Sequence, residues 1–179
     1  MAAALVDMSE RARFDAIFEA EFAYVWTSLR RLGVQERDLE DLTHDVFLEV
    51  YRRIGTYDPA RPIRPWLFAF AFRFASDYRR LARHRREVMG TEAEESDPLP
   101  SADRLLQMKQ NQHLVERAIG KIDPDRQAVF ILHELDETPM AEIAAALEIP
   151  VNTAYSRLRL AREEFREAVK RESRKEARP

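Results

Sequence analysis

The chain has 179 residues, a formal net charge of −3 and an apolar share of 45%, enough for one medium or two small folded domains. It has no cysteine, which excludes a disulfide framework and thiolate metal sites and fits a reducing compartment. Met1 to Arg13 carries Asp7 and Glu10 with no basic start and apolar core, so it does not read as a secretory signal, and no apolar run approaches membrane-spanning length.

The average charge hides its distribution. Six arginines meet one acid, Asp77, between Arg73 and Arg86, and a second basic cluster starts at Arg157, while acids dominate elsewhere. Clustered arginine is what neutralises phosphate, so two basic patches on an acidic body keep nucleic acid in play.

Only four glycines, abundant Ala, Leu, Glu and Arg, and no sustained alternation of apolar and polar residues predict an all-α fold. Phe14, Ile17, Phe18, Phe22, Val25, Leu29 and Leu32 form the apolar stripe of a first helix ending near Gly33. Asp38 is the expected N-cap of the second, whose buried stripe is Leu39, Leu42, Val46, Val50 and Ile54, and which Gly55 closes. Pro59, Pro62 and Pro65 stiffen a loop from Tyr57 to Pro65. A third helix is expected from about Trp66 to Arg86, with Phe70, Phe74, Tyr78 and Leu81 buried in line with Leu67.

Phe68 and Phe72 fall off that stripe at about 100° per residue, in a sector shared with Ser76, Arg79 and Arg83. Two readings stay open. The rings pack beneath another helix, or rings and arginines together hold an unpaired strand by stacking and phosphate contact. Arg79, Arg80, Arg83, Arg85 and Arg86 favour an anion nearby, because five close charges repel one another.

Acids, Gly90, Pro98 and Pro100 between Glu87 and Asp103 read as a flexible acidic linker. The expected organisation is therefore two small helical domains, residues 10–86 and 105–172, joined by a linker at 87–104 and followed by a frayed tail at 173–179. Asp123 and Pro124 start a helix in the second domain.

Thr138 and Pro139 then begin a short helix with Ile143, Ala144 and Leu147 inward, and the small residues Ala144 to Ala146 admit a close neighbour. Ile149, Pro150 and Val151 break it, and Asn152 is the expected cap of a helix burying Ala154, Leu158, Ala161 and Phe165. That is helix-turn-helix spacing, with Tyr155, Ser156, Arg159, Leu160, Arg162 and Glu163 outward, and an ordinary helical hairpin is its plain alternative. Glu148 stands where this turn often carries glycine, so the backbone there either avoids a left-handed conformation or bears a small cost.

Three segments in order, DLEDLTHDVFLEVYRR (38–53), RPWLFAFAFRFASDYRR (64–80) and EIAAALEIPVNTAYSRLRLAREEF (142–165), resemble regions 2.2, 2.3 to 2.4 and 4.2 of group 4 (extracytoplasmic function) sigma factors of the sigma-70 family. The resemblance implies a sigma factor that joins core RNA polymerase and selects promoters. Asp41, Leu42, Asp45, Val46 and Phe47 would dock on the clamp of the largest subunit, and the second domain near the flap of the second largest. Tyr57, Arg61, Arg64, Trp66, Phe72, Arg73, Ser76, Arg79, Arg80 and Arg83 would hold the single-stranded −10 element, including a flipped base. Asn152, Thr153, Tyr155, Ser156, Arg157, Arg159 and Arg162 would read the −35 duplex. It further implies an anti-sigma partner, frequently membrane-bound, that covers the surfaces between the domains of a cytoplasmic protein with no membrane insertion of its own.

The family often has Arg-Asn near Phe72 and Arg73, and frequently basic residues at Tyr155 and Leu160, so base preference is open at those places. A polymerase-independent helix-turn-helix regulator is the rival reading. No cofactor or metal site is expected: His44 lies within a turn of Glu40, Asp41 and Asp45, and His133 beside Glu134, but neither completes a ligand set. With no HExxH pattern and no phosphate-cradling glycine loop, catalysis by this chain alone is not expected.

Overall fold

The computed structural model describes residues 9–89 and 114–176. All regular structure among them is helical. Helix α1, Glu10–Arg31, starts at Ser9, whose hydroxyl accepts the Ala12 N–H at 3.3 Å. It ends at Gly33, whose φ of 89° lets the Gly33 and Val34 N–H groups reach back to the carbonyls of Arg30 and Leu29. Helix α2, Glu36–Arg53, buries Leu39, Thr43, Val46, Phe47 and Val50, and a 3-10 turn, Ile54–Thr56, leads into the proline loop. Helix α3, Ile63–Met89, packs on both.

In the second lobe a helical stretch at 114–119 (α4) precedes α5, Pro124–Phe130, which runs on through a π-helical turn, Ile131–Leu135. Asp123 caps α5 by accepting the Asp125 N–H at 3.2 Å with Pro124 in the first turn, as its sequence predicts. Helix α6, Met140–Ala146, and helix α7, Val151–Glu176, complete the helix-turn-helix. Ile143, Ala144, Ala154, Leu158 and Ala161 close its core, joined by Phe130, whose ring lies tilted 4.9 Å from that of Phe165.

Several local expectations give way. Asp38 does not cap α2, because Gln35 occupies the cap position and the Asp38 carboxylate accepts the Tyr78 hydroxyl at 2.7 Å. Asn152 sits inside α7, which already starts at Val151, and Pro139 rather than Thr138 holds the cap position of α6. Of the three small residues only Ala144 is buried against α7, while Ala145 and Ala146 look toward the first lobe.

Helix α3 passes Arg86 and reaches Met89, so the expected linker begins helical, and its remainder at 90–104 lies outside the described residues, as does 177–179. Phe68 is fully buried and Leu81 is 56% exposed, the reverse of the stripe expected from periodicity. The cause is that α3 is packed by α1, α2 and α6 together, which widens its apolar sector around Leu67, Phe68 and Ala71. Glu148 does adopt the left-handed conformation, φ 54°, with the Ile149 N–H closing on the Ala144 carbonyl at 3.0 Å.

The two lobes touch. Tyr24 Oη donates to Asp136 Oδ2 at 2.7 Å, Arg31 reaches the other Asp136 oxygen at 3.4 Å, and Gln127 Nε2 donates to the Arg31 carbonyl at 3.2 Å.

Candidate nucleic-acid interface

The proline loop and the start of α3 frame a cavity of about 310 Å³. Its first-lobe wall carries Tyr57, Arg61, Trp66, Phe70 and Arg73. Asp58 turns the loop by accepting the Ala60 N–H at 3.0 Å, and the Tyr57 hydroxyl donates to the Arg61 carbonyl at 2.7 Å. Tyr57 is 4% exposed, and burial pushes its hydroxyl above the usual tyrosine range, so it stays a neutral donor. The Tyr57 and Trp66 rings lie 5.0 Å apart, and Trp66 meets Phe70 edge-on at 4.9 Å. Aromatic faces beside arginines in a concave site suit an unstacked base with its phosphate.

The other predicted −10 residues take different places. Arg64 is exposed but turned away, paired with the buried Glu21 at 2.9 Å and set 5.0 Å over the Tyr24 ring. Phe72 packs half-buried against the core, and the Ser76 hydroxyl donates to its carbonyl at 2.7 Å. Arg79 donates to the Leu32 carbonyl at 2.6 Å and to Gln127 Oε1 at 3.1 Å, and its loss of solvent lowers its affinity for the proton. Arg80, paired with Asp77 at 3.0 Å, and Arg83 remain on the exposed flank. The cavity thus assembles Tyr57, Arg61, Trp66 and Arg73 and leaves out Arg64, Phe72, Ser76 and Arg79. Phe70 joins it although periodicity marks it as core, because a half-turn of α3 both supports the lobe and walls the cavity.

On α7 most of the residues expected at the −35 element lie at the surface. Asn152, Tyr155, Ser156, Arg159 and Arg162 are exposed at three- and four-residue spacings, which sets them along one side. Tyr155, 57% exposed, is its most prominent apolar surface. Arg159 pairs with Glu163 at 2.9 Å and Arg162 with Glu134 at 2.6 Å. Exposed pairs of this kind hold by about 0–1 kcal/mol and exchange readily for phosphate. Thr153 and Arg157 are half-buried, Arg157 bridging to Asp125 of α5 at 2.8 Å.

On α2, Asp41 and Asp45 are exposed and Leu42 half-buried, whereas Val46 and Phe47 lie in the core. Phe47 stacks on Phe22 at 6.0 Å and takes the edge of Phe18 at 4.8 Å, which stiffens the helix from behind. Leu48 and Tyr51, 55% and 48% exposed, join the acids on the outer face. Their signal was present as apolar residues off the Leu39–Val46–Val50 stripe. His44 directs Nδ1 at the Glu40 carbonyl, 2.9 Å away, and no cluster of three metal-ligating side chains occurs among the described residues. No described helix is long and apolar enough to cross a membrane.

Comparison with known proteins matches residues 17–86 to the Sigma-70 region 2 model and 112–165 to the Sigma-70, region 4 model. The chain is 26% identical over 141 residues to the RNA polymerase sigma factor CnrH of Cupriavidus metallidurans, covering 74% of each chain. It is 29% identical over 156 residues to the ECF RNA polymerase sigma factor SigL of Mycobacterium tuberculosis, covering 86% of each. Among solved structures, CnrH in complex with the cytosolic domain of CnrY superposes with a TM-score of 0.65 at 22% identity, over 94% of both chains. The sigma factor RpoE in complex with the anti-sigma factor NepR, from Bartonella quintana, gives 0.68 at 19% identity, over 88% of this chain and 96% of that one. Those two likenesses carry the fold. The two family models follow the order of the lobes, and the relatives span both, so the chain belongs to the sigma-70 family as a group 4, extracytoplasmic function sigma factor, a subunit that binds core RNA polymerase and directs promoter-specific initiation.

Proposed function

We propose that the aromatic cavity of the first lobe captures a flipped base of the −10 element, while the outer side of α7 reads the −35 element as duplex. The observation that carries this is the set of rings and arginines, Tyr57, Trp66, Phe70, Arg61 and Arg73, around one cavity. Arg80 and Arg83 continue the basic track along α3 for the strand backbone. The −35 contacts fall to Asn152, Tyr155, Ser156, Arg159 and Arg162, with Tyr155 offering apolar surface to a thymine methyl. Arg157 and Thr153 hold the recognition helix in place.

The docking face for the clamp is the outer side of α2: Asp41, Asp45, Leu48 and Tyr51, with Leu42 at its edge and Val46 and Phe47 as its support. An acidic helix toward protein and basic helices toward DNA divides the charges sensibly. The second lobe meets the flap of the second-largest subunit. The two superposing sigma factors are solved with the partners CnrY and NepR, the latter an anti-sigma factor. An anti-sigma factor holds this chain in the same manner, in the cytoplasm or at the membrane face, and the chain acts as a regulator without catalysis of its own.

Run-off transcription with purified core polymerase on fragmented genomic DNA tests the reading. Start-site selection should appear with the native chain and fail with Trp66→Ala. Asp41→Lys with Asp45→Lys should lose core binding while keeping duplex binding. Start sites unchanged by all three substitutions overturn the assignments.

A further inference from the structure

Opposite charges line the cavity beside Trp66 without meeting. The first lobe contributes Arg53, Arg61 and Arg73, while α6 and its turn contribute Glu142 and Glu148. Arg53 is paired with Glu49, and Arg61 lies 3.9 Å from the Asp58 carboxylate. The side chains of Arg73, Glu142 and Glu148 have no hydrogen-bond or ion-pair partner among the described residues. A cation and two carboxylates around one cavity attract each other, yet a gap separates them. That gap suits a molecule with hydrogen-bond donors at one end and negative charge at the other.

The aromatic wall lies in the same cavity. Trp66 is half-buried and backed by Tyr57 at 5.0 Å and Phe70 at 4.9 Å, which fixes the ring for stacking on a flat ligand. Ala69, Ala145 and Ala146 are too small to fill the space in front of it.

Size and charge choose between a strand and a single unit. The 310 Å³ stand at the lower end of the range for small-molecule sites, about 300–1,000 Å³. With the second lobe where it stands, a continuing strand would carry phosphates past Glu142 and Glu148, where like charges repel. A free mononucleotide places its phosphates once, at the arginines.

The carboxylates select the base, because an ionised carboxylate accepts hydrogen bonds and donates none. Guanine offers two adjacent donors, its ring N1–H and its amino group, which match the two oxygens of one carboxylate. Adenine and cytosine set a ring acceptor beside the amino group, and uracil flanks its single N–H with two carbonyls. Each of those turns a lone pair toward the acid.

We propose that this cavity binds a free guanosine 5′-phosphate, with the base stacked on Trp66 and read by the Glu142 and Glu148 pair, and the phosphates held by Arg61 and Arg73. This rests on the reading of the cavity as a base-capture site and gives it a second, soluble occupant. The nucleotide and the −10 base then exclude one another, so the supply of guanine nucleotide bears on how much of the chain is free to take a promoter.

The test uses the full chain and guanosine 5′-diphosphate (GDP). In a Trp26→Phe background Trp66 is the one tryptophan left, and its fluorescence should fall as GDP is added. Calorimetry should give a single site that prefers GDP over ADP, CDP and UDP by about tenfold or more, the loss expected when charge-assisted hydrogen bonds are not made. Glu142→Gln with Glu148→Gln should level the four nucleotides while keeping the melting temperature. Arg73→Ala should weaken GDP and leave guanosine, which has no phosphate, unchanged.

Four diphosphates bound alike, GDP affinity undiminished in the double glutamine variant, or a native chain that ignores GDP overturns the proposal. The strand reading falls separately. A Trp66→Ala chain that loses GDP yet still selects start sites with core polymerase keeps the nucleotide site and removes the −10 base from the cavity. A native chain that ignores GDP, beside a Trp66→Ala chain that cannot initiate, does the reverse.

Discussion

Helices α3 and α7 are of nearly equal length, 27 and 26 residues, and both are rich in arginine, yet they spend their cations differently. On α7 the arginines at 159 and 162 point outward and make only exposed pairs, so that side stays available to an anion. Among the described side chains of α3, Arg73, Arg80 and Arg83 remain available, while Arg79 is drawn into contacts with Leu32 and Gln127. The difference follows from the number of neighbours. Helix α7 packs on α5 and α6 along one stripe, and α3 is gripped by α1, α2 and α6. An arginine count is thus a measure of nucleic-acid affinity only where the helix has a free side.

The sharpest way to break this comparison is at the two phenylalanines that periodicity placed together. Phe68→Ala should cost about 3–5 kcal/mol of unfolding free energy because the ring is fully buried. Phe72→Ala, half-buried, should cost less than half of that by urea titration. Equal losses would mean that α3 has no privileged inner side.

Next in size is the second lobe. Arg159→Ala with Arg162→Ala should weaken −35 duplex binding by about 2 kcal/mol and flatten its salt dependence, with thermal stability unchanged. Arg157→Ala should do the opposite, lowering the melting temperature through loss of the Asp125 bridge while affecting the salt slope little. Smallest is Glu148→Gly, which relieves a left-handed residue and should stabilise the lobe by about 1 kcal/mol in thermal unfolding. Destabilisation would show that the Glu148 side chain makes a contact outweighing its backbone cost.

What the sequence made legible divides along the same line. The helix-turn-helix, the Asp123 and Pro124 start and the outward residues of α7 could be read because each depends on local chemistry or on one packing face. Of the cavity, the sequence and the family resemblance supplied the first wall, Tyr57, Arg61, Trp66 and Arg73, and not the second, which comes from residues more than sixty positions away along the chain. Asp38 looked like a cap because caps are local, but Tyr78, forty residues on, claims its carboxylate. Arg64 likewise reads as a free cation until Glu21 and Tyr24 are brought beside it. Long-range partners decide each of these cases, and spacing along a single helix carries no record of them.

The hydroxyl of Tyr57, tied to the Arg61 carbonyl, braces the proline loop before any strand arrives. Under the proposed base capture, a rim already set in shape has little disorder left to surrender, so the entropic toll of seating a base would fall on the nucleotide rather than the receptor. Warming should then affect promoter engagement chiefly through how easily base pairs come apart, and a loop loosened by Tyr57→Phe would add a thermal sensitivity that the native chain lacks.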